Sequence, residues 1–414
     1  MTNARPHATL FVLVTIFIDA MSFGLIMPVL PRLLMNIGQI DLPRAMTVGA
    51  WIGFAMALAT FFAAPVLGGL SDAHGRRRVL LLALGGLAVD YLLLAVAHTL
   101  PLIFIGRTMS GIFGGSYAPA QAALADRTAP EDRAKAFGYV GAAFGVGFII
   151  GPAIGGLLGQ MGDRAPFYAA SALAAVNFLY GTFVFPETLP PERRRPFDWS
   201  RANPLGAWRV AQATPGMARI AAILVLWQIA SLVYPLTWSF WAIAQLGWSS
   251  AMIGASLAFV GVIMALAQGL FTGPAVKRLG ERNAATVGLT AATCAFLLYP
   301  FVTASWQVFA IMIVIAVQAL TQPSLMALLS RSATPETQGE TQGIASMAMG
   351  LGTLAAPLLL TGVMAHFTGS GAPVHLPGAA FLVSAAFALV CIVLVRRLPE
   401  HHNNAAAASA TAGP

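Results

Sequence analysis

Charge is what this chain of 414 residues has least of. Only 9% of its side chains are Asp, Glu, Lys or Arg, with 15 acids against 23 bases. Soluble globular domains carry about 25% charged residues, so a water-soluble fold is excluded. With 58% hydrophobic side chains the chain reads as a helical membrane protein of many spans. Polar–apolar alternation is missing too: a membrane barrel needs strands of about ten alternating residues, whereas the apolar runs here are continuous. Cysteine is nearly absent. Cys294 and Cys391 fall in apolar runs without ligand-like spacing, so neither a disulfide framework nor a metal site is expected. No GxxxxGK[ST] loop occurs, and ATP is not expected to drive the protein. Nor is there a Ser/His/Asp set: His7, His401 and His402 are terminal, and His74, His98, His366 and His375 stand in loops or at span ends. An enzyme is therefore not expected, and no cofactor.

What is present is apolar length. A span needs about 20 mostly apolar residues, and twelve such runs can be placed, at roughly 8–35, 45–70, 79–97, 100–125, 135–160, 166–186, 218–245, 249–272, 284–303, 306–329, 341–366 and 377–397. The first run is too long, and lacks the small-residue cleavage site, to be a removable leader. Twelve spans put both termini on one side, where Lys and Arg should gather. Arg5, Arg76 to Arg78, Arg127, Arg133, Lys135, Arg193 to Arg195, Arg201, Arg209, Arg219, Lys277, Arg278, Arg282, Arg331, Arg396 and Arg397 fall there. Only Arg32, Arg44 and Arg164 fall opposite, and Arg107 lies within a span. The expectation is an inner-membrane protein with cytoplasmic termini. The net charge of +8 is thereby explained by topology, with no nucleic-acid partner.

The polar stretch 187–217 divides the runs into six and six. The expected organisation is a bundle over 1–186, a cytoplasmic linker over 187–217, a second bundle over 218–398 and a disordered tail over 399–414. "GGLSDAHGRRR" (68–78) and "GPAVKRLGERN" (273–283) share glycines at one offset, Gly68 and Gly75 against Gly273 and Gly280. The same loop in the same place of both halves suggests a duplicated unit, and transporters built this way bind substrate between the halves.

These residues resemble the major facilitator superfamily. "GGLSDAHGRRRVLL" is similar to its signature loop, although Ala73 replaces the usual Arg. "GVGFIIGPAIGG" (145–156) resembles the span-five motif of its drug:proton antiporters. "FIDAMSFGLIMPVLP", "VDYLLLA" (89–95) and "IGRTMSGIFGG" (105–115) resemble the tetracycline-efflux branch most closely. The resemblance implies two pseudo-symmetric six-helix bundles and proton-driven export of a small lipophilic substrate from a monomer. In tetracycline exporters a span-eight His and a span-nine acid help to hold the metal-chelated drug; Met264 and Ala292 stand at those places. The resemblance also suggests a latch in which Asp72, with Gly68, Gly75 and Arg76, meets a helix N-terminus and Asp126 pairs with Arg76.

Among the acids only Asp19 and Asp90 lie deep in spans. An ionisable residue there costs about 2.5–3.5 kcal/mol and is functional by default, a structural polar contact being the alternative. Asp90 and Arg107 stand about eight residues either side of the "HTLP" turn (98–101), at one depth roughly 12 Å below it. Asp19, halfway along its run, is expected to exchange protons and contact substrate. Asp90–Arg107 is either a second titrating site or a fixed pair.

The second half has no deep charge. Gln228, Tyr234, Trp238, Met264, Gln268 and Gln322 are candidates for an apolar pocket wall, with helix packing as the alternative. Gly147, Gly151, Pro152, Gly155 and Gly156 form the antiporter motif, and both tight packing and a block to proton leak suit them. Pro28 and Pro31 weaken the end of the first span, where a gate could form. The leading expectation is multidrug export, with tetracycline-like drugs among the substrates. A carrier for one metabolite or siderophore and a non-transporting sensor or scaffold stand behind it.

Overall fold

Proline and glycine punctuate the apolar runs, and the helices break where they fall. The computed structural model describes residues 5–199, 217–331 and 338–398. Arg201, Arg209, most of the expected linker and the tail from 399, with His401 and His402, lie outside the described residues. Every regular element among the described residues is helical. In hydrocarbon no water satisfies backbone groups, and a helix satisfies them internally.

The helices are α1 (Arg5–Ile26), α2 (Leu30–Gly38), α3 (Leu42–His74), α4 (Arg76–Val96), α5 (Leu100–Phe113), α6 (Tyr117–Arg127), α7 (Arg133–Met161), α8 (Ala165–Val184), α9 (Met217–Ser231), α10 (Val233–Leu246), α11 (Ser250–Leu266), α12 (Gly273–Leu298), α13 (Ser305–Ile315), α14 (Thr321–Arg331), α15 (Gln338–Ala356), α16 (Gly362–Thr368) and α17 (Ala379–Arg396). Ten helical stretches are each long and apolar enough to cross a membrane. One of them, Ser250–Phe301, holds two of the predicted runs, parted at Gly280 where φ is 74° and ψ 158°. Leu100–Phe113 is a shorter apolar helix that carries on through a tight turn into α6. The twelve runs are thus recovered.

Two boundaries differ instructively. The third span begins at Arg76, with its three arginines inside the first helical turn. Cations oppose the dipole there, which is why the run reads as starting later; an acid from elsewhere offsets them. The first span is interrupted over 27–29. Pro31 has no N–H to give to the carbonyl of Met27, so that carbonyl leaves the helical ladder.

Within the first half, α1 lies against α7 and α8, α3 against α5, and α4 against α8. Within the second, α12 packs on α17 and α14, and α9 on α15 and α17. The halves meet through α7 on α11, and through α3 on α16 and on the π-helical turn Pro357–Thr361. A nest of rings fills the second half: Trp238 and Trp241 stand 5.0 Å apart and Tyr299 and Phe381 4.9 Å apart, centroid to centroid. Outward, large apolar side chains such as Leu82, Val89, Val176 and Phe183 are exposed, as a lipid-facing belt requires.

The duplication is visible in the backbone. Gly75 has φ 99° and ψ 150°, matching Gly280. The residues that follow make matching ion pairs of opposite polarity. Arg76 Nε meets Asp126 Oδ2 at 3.1 Å, and Glu281 Oε1 meets Arg331 Nη2 at 2.6 Å. Each pair spans 50 residues of chain.

Candidate functional site

The deep charges of the first half gather in one place. Asp19 on α1, Asp90 on α4 and Arg107 on α5 all act electrostatically on Tyr91. Asp90 is completely buried, and the Ser110 hydroxyl donates to its Oδ2. Its Oδ1 has no hydrogen-bond partner. The depth argument placed Asp90 and Arg107 together, and they are electrostatic neighbours. Yet no ion pair within 4.0 Å joins them; Asp90 is held by Ser110. Ser110 was not singled out in the sequence. Its position three residues after Arg107 puts the two on one helix face, which is the signal that could have found it.

Between the halves lies a cavity of about 280 Å³. Its walls come from α1, α2, α3, α5, α10 and the Pro357–Thr361 turn, with Phe23, Ile26, Gly53, Phe240 and Pro357 among them. Arg107, 8% exposed, reaches this wall. Among the described residues no carboxylate lines the cavity.

None of the six expected wall residues lines it. Leu232, just before α10, and positions 235, 236, 239 and 240 along it face the cavity. Tyr234 and Trp238 take the other face and join the aromatic nest, where Trp238 Nε1 donates to Ser256 Oγ at 2.9 Å. Gln228 stands behind the wall, donating to Thr353 Oγ1 at 3.1 Å. Gln322 contacts Met349 Sδ at 3.6 Å, Met264 is half-buried and Gln268 is exposed. A 3.6-residue period separates two faces of a helix but does not say which one meets a cavity.

The halves pack closely at the end away from the arginine-rich loops. There α7 is wedged between α1 and α11. A Cβ on Gly147, Gly151 or Gly155 would come within 2.4, 2.4 and 2.2 Å of the carbonyls of Phe17, Met21 and Leu25. On the other flank, Gly156 would meet Ser250 O at 2.5 Å and Gly254 would meet Pro152 O at 2.2 Å. These glycines permit backbone-to-backbone packing that any side chain forbids. Gly138, Gly141 and Gly145, on the same helix toward the basic end, have no such neighbour within 4 Å. Hydrogen bonds cross between the halves at that end. Ser239 Oγ donates to Met27 O at 2.7 Å and Arg32 Nη2 to Trp248 O at 3.3 Å. Arg164 donates to the carbonyls of Ala95 and Ala97 at 3.1 and 2.7 Å. Two of the three cations that stand on the minority side therefore serve main-chain carbonyls.

At the basic end Arg76 is the hub. It donates to Asp72, to Ser71 Oγ at 2.6 Å and to Asp126. The helix N-terminus, however, is occupied by Glu187 and not by Asp72. Glu187 Oε1 accepts from the main-chain N–H of Arg76 at 2.8 Å and from those of Thr188 and Leu189 at 3.0 Å; Oε2 accepts from Arg77 N at 3.3 Å. A carboxylate belongs at that dipole end. Glu187 opens the polar stretch after the sixth span, and an acid at that border was the available cue. Asp72, half of its side chain exposed, is left facing outward. Gly68 meets nothing within 4 Å.

Comparison with known proteins gives one family. The description Major Facilitator Superfamily matches residues 12–357 and 230–413. The class C tetracycline resistance protein of Escherichia coli is 39% identical over 397 residues, covering 94% of this chain and 97% of that protein. The class G protein of Vibrio anguillarum is 35% identical over 392 residues, covering 94% and 97%. Among solved structures, a bacterial homologue of the human lysosomal transporter Spinster superposes with a TM-score of 0.77 at 14% identity, over 95% of this chain and 97% of that one.

Proposed function

The chain belongs to the major facilitator superfamily, among its tetracycline resistance proteins, and on that premise we propose a proton-coupled antiporter that exports lipophilic small molecules by alternating access. The observation that carries this is the apolar cavity between the halves, with Arg107 on its wall and Asp90 behind. A multi-pass membrane protein with such a chamber between halves that pack closely at one end suits a carrier better than a channel.

In this reading residues 1–186 and 218–398 are the moving bundles, 187–217 joins them and 399–414 is a tail. The basic end is cytoplasmic, by the excess of Lys and Arg. The cavity is then shut toward the outside by the α7–α11 glycine contact. Asp19 takes and releases the proton, and Asp90, steadied by Ser110, is a second station beside Arg107. Asp72 and its loop latch the cytoplasmic side in the opposite state, when the halves close there. One proton moving down 100 mV supplies about 2.3 kcal/mol, enough to hold a neutral substrate at roughly fifty-fold across the membrane. A monomer suffices for this cycle.

Everted vesicles from cells making the chain test it. After respiration sets up an acid interior, a transported drug should release protons outward, read as recovery of a quenched pH dye. Asp19→Asn should abolish that recovery while downhill drug movement persists. Unchanged recovery in Asp19→Asn would refute the assignment.

A further inference from the structure

The central cavity has one charged side chain on its wall, Arg107. Arg107 is 8% exposed, and its Nε has no partner. Its guanidinium makes no ion pair within 4.0 Å among the described residues. Three hydroxyl protons on the same wall are already committed to main-chain carbonyls: Thr60 to Met56 and Gly111 at 2.9 and 3.0 Å, Ser239 to Met27 at 2.7 Å, and Thr353 to Met349 at 2.9 Å. The nearest acid, Asp90, is engaged by Ser110 and does not line the cavity. The rest of the wall is largely apolar, with Phe23, Phe240 and Pro357 among its residues.

We propose that this cavity takes a metal-free lipophilic anion, a carboxylate, phenolate or enolate on an apolar body, and that Arg107 is its counter-charge. A buried guanidinium with no hydrogen-bonded ion pair is costly, and an anion offsets that cost with charge-assisted, bidentate hydrogen bonds. A cationic ligand finds no carboxylate on the wall and meets the guanidinium as a like charge. A positively charged metal chelate meets the same obstacle. Met264 and Ala292 supply it no ligand. The proposal deepens the export reading and rests on it for taking this cavity as the substrate site.

The test is equilibrium binding to the full chain in lipid nanodiscs, with empty nanodiscs as blank and EDTA present. Three probes share one ring system: 2-naphthoate, 2-naphthamide and 2-naphthylmethylammonium. Naphthoate should bind at least tenfold more tightly than the ammonium, with the amide between, and magnesium in place of EDTA should not strengthen it. Arg107→Gln should level the series, and Arg107→Lys should keep its order. The proposal is overturned if the ammonium matches or beats naphthoate, if naphthoate does not bind the folded chain, or if its advantage survives in Arg107→Gln. Should Arg107→Gln fail to fold, the order in the unaltered chain decides. These titrations need no gradient. Lost flux with the order intact sinks the proton coupling alone; a reversed order with flux intact sinks the anion alone.

Discussion

The hydroxyl of Ser239 reaches from the second half of the molecule to the carbonyl of Met27 in the first, at 2.7 Å. Pro31, four residues after Met27, leaves that carbonyl without its helical partner. The proline that interrupts the first span therefore creates the acceptor that ties the halves together. Ser239→Ala removes a bond worth about 1 kcal/mol, which is roughly a fivefold shift toward the state open at this end. Spin labels on cysteines at the exposed Thr47 and Thr303 would read it as a larger population at long distance.

The glycine wedge gives a sharper contrast. Gly156→Val or Gly254→Val puts side-chain atoms where backbone oxygen lies within 2.5 Å. Either variant should insert in the membrane, lose drug export by more than about tenfold, and show the same lengthening between the Thr47 and Thr303 labels. Gly138→Ala, with nothing within 4 Å, should export normally. Equal effects from all three would remove the wedge from the mechanism.

The two mirrored ion pairs should differ in worth. Arg76 is 8% exposed and serves three partners, whereas the Arg331 side chain is 58% exposed with Glu281 as its ion-pair partner. Asp126→Asn should lower the melting point of the purified protein, at a cost of about 1–3 kcal/mol. Arg331→Gln should stay within about 1 kcal/mol of the parent, as solvent-screened pairs do. Thermal unfolding in one detergent checks both.

Ser110 is expected to act through Asp90. Ser110→Ala leaves both oxygens of a buried carboxylate without a donor, and proton-coupled flux should fall about tenfold. Ser110→Thr, which keeps the hydroxyl, should recover most of it. Passive drug movement in de-energised vesicles should be the same in all three, and a parallel loss there would mean a merely structural role.

Much of the fold was legible because it rests on one-dimensional facts. Apolar length gave the twelve spans. Gly75 and Gly280 marked the repeat before their shared backbone angles were seen. Pairing of Asp126 with Arg76 came from family likeness and stands in the geometry. What stayed hidden depends on helix rotation and on distant chain. Tyr234 and Trp238 looked like cavity wall, yet the neighbouring face of α10 carries Ser239 and Phe240 to the cavity. Asp72 was the nearer acid to the third span, but Glu187 arrives from more than a hundred residues away to cap it. Composition cannot weigh two carboxylates competing for one helix end.

The two glycine elbows are not equal. At Gly75 a Cβ would stand 2.3 Å from Glu187 Oε2, so that joint is splinted by the chain leaving the sixth span; at Gly280 nothing stands within 4 Å. Duplicate parts have thus diverged in how closely the rest of the chain surrounds them. Added bulk at the first elbow would collide with the acid that caps the third span, whereas the second elbow has room for it.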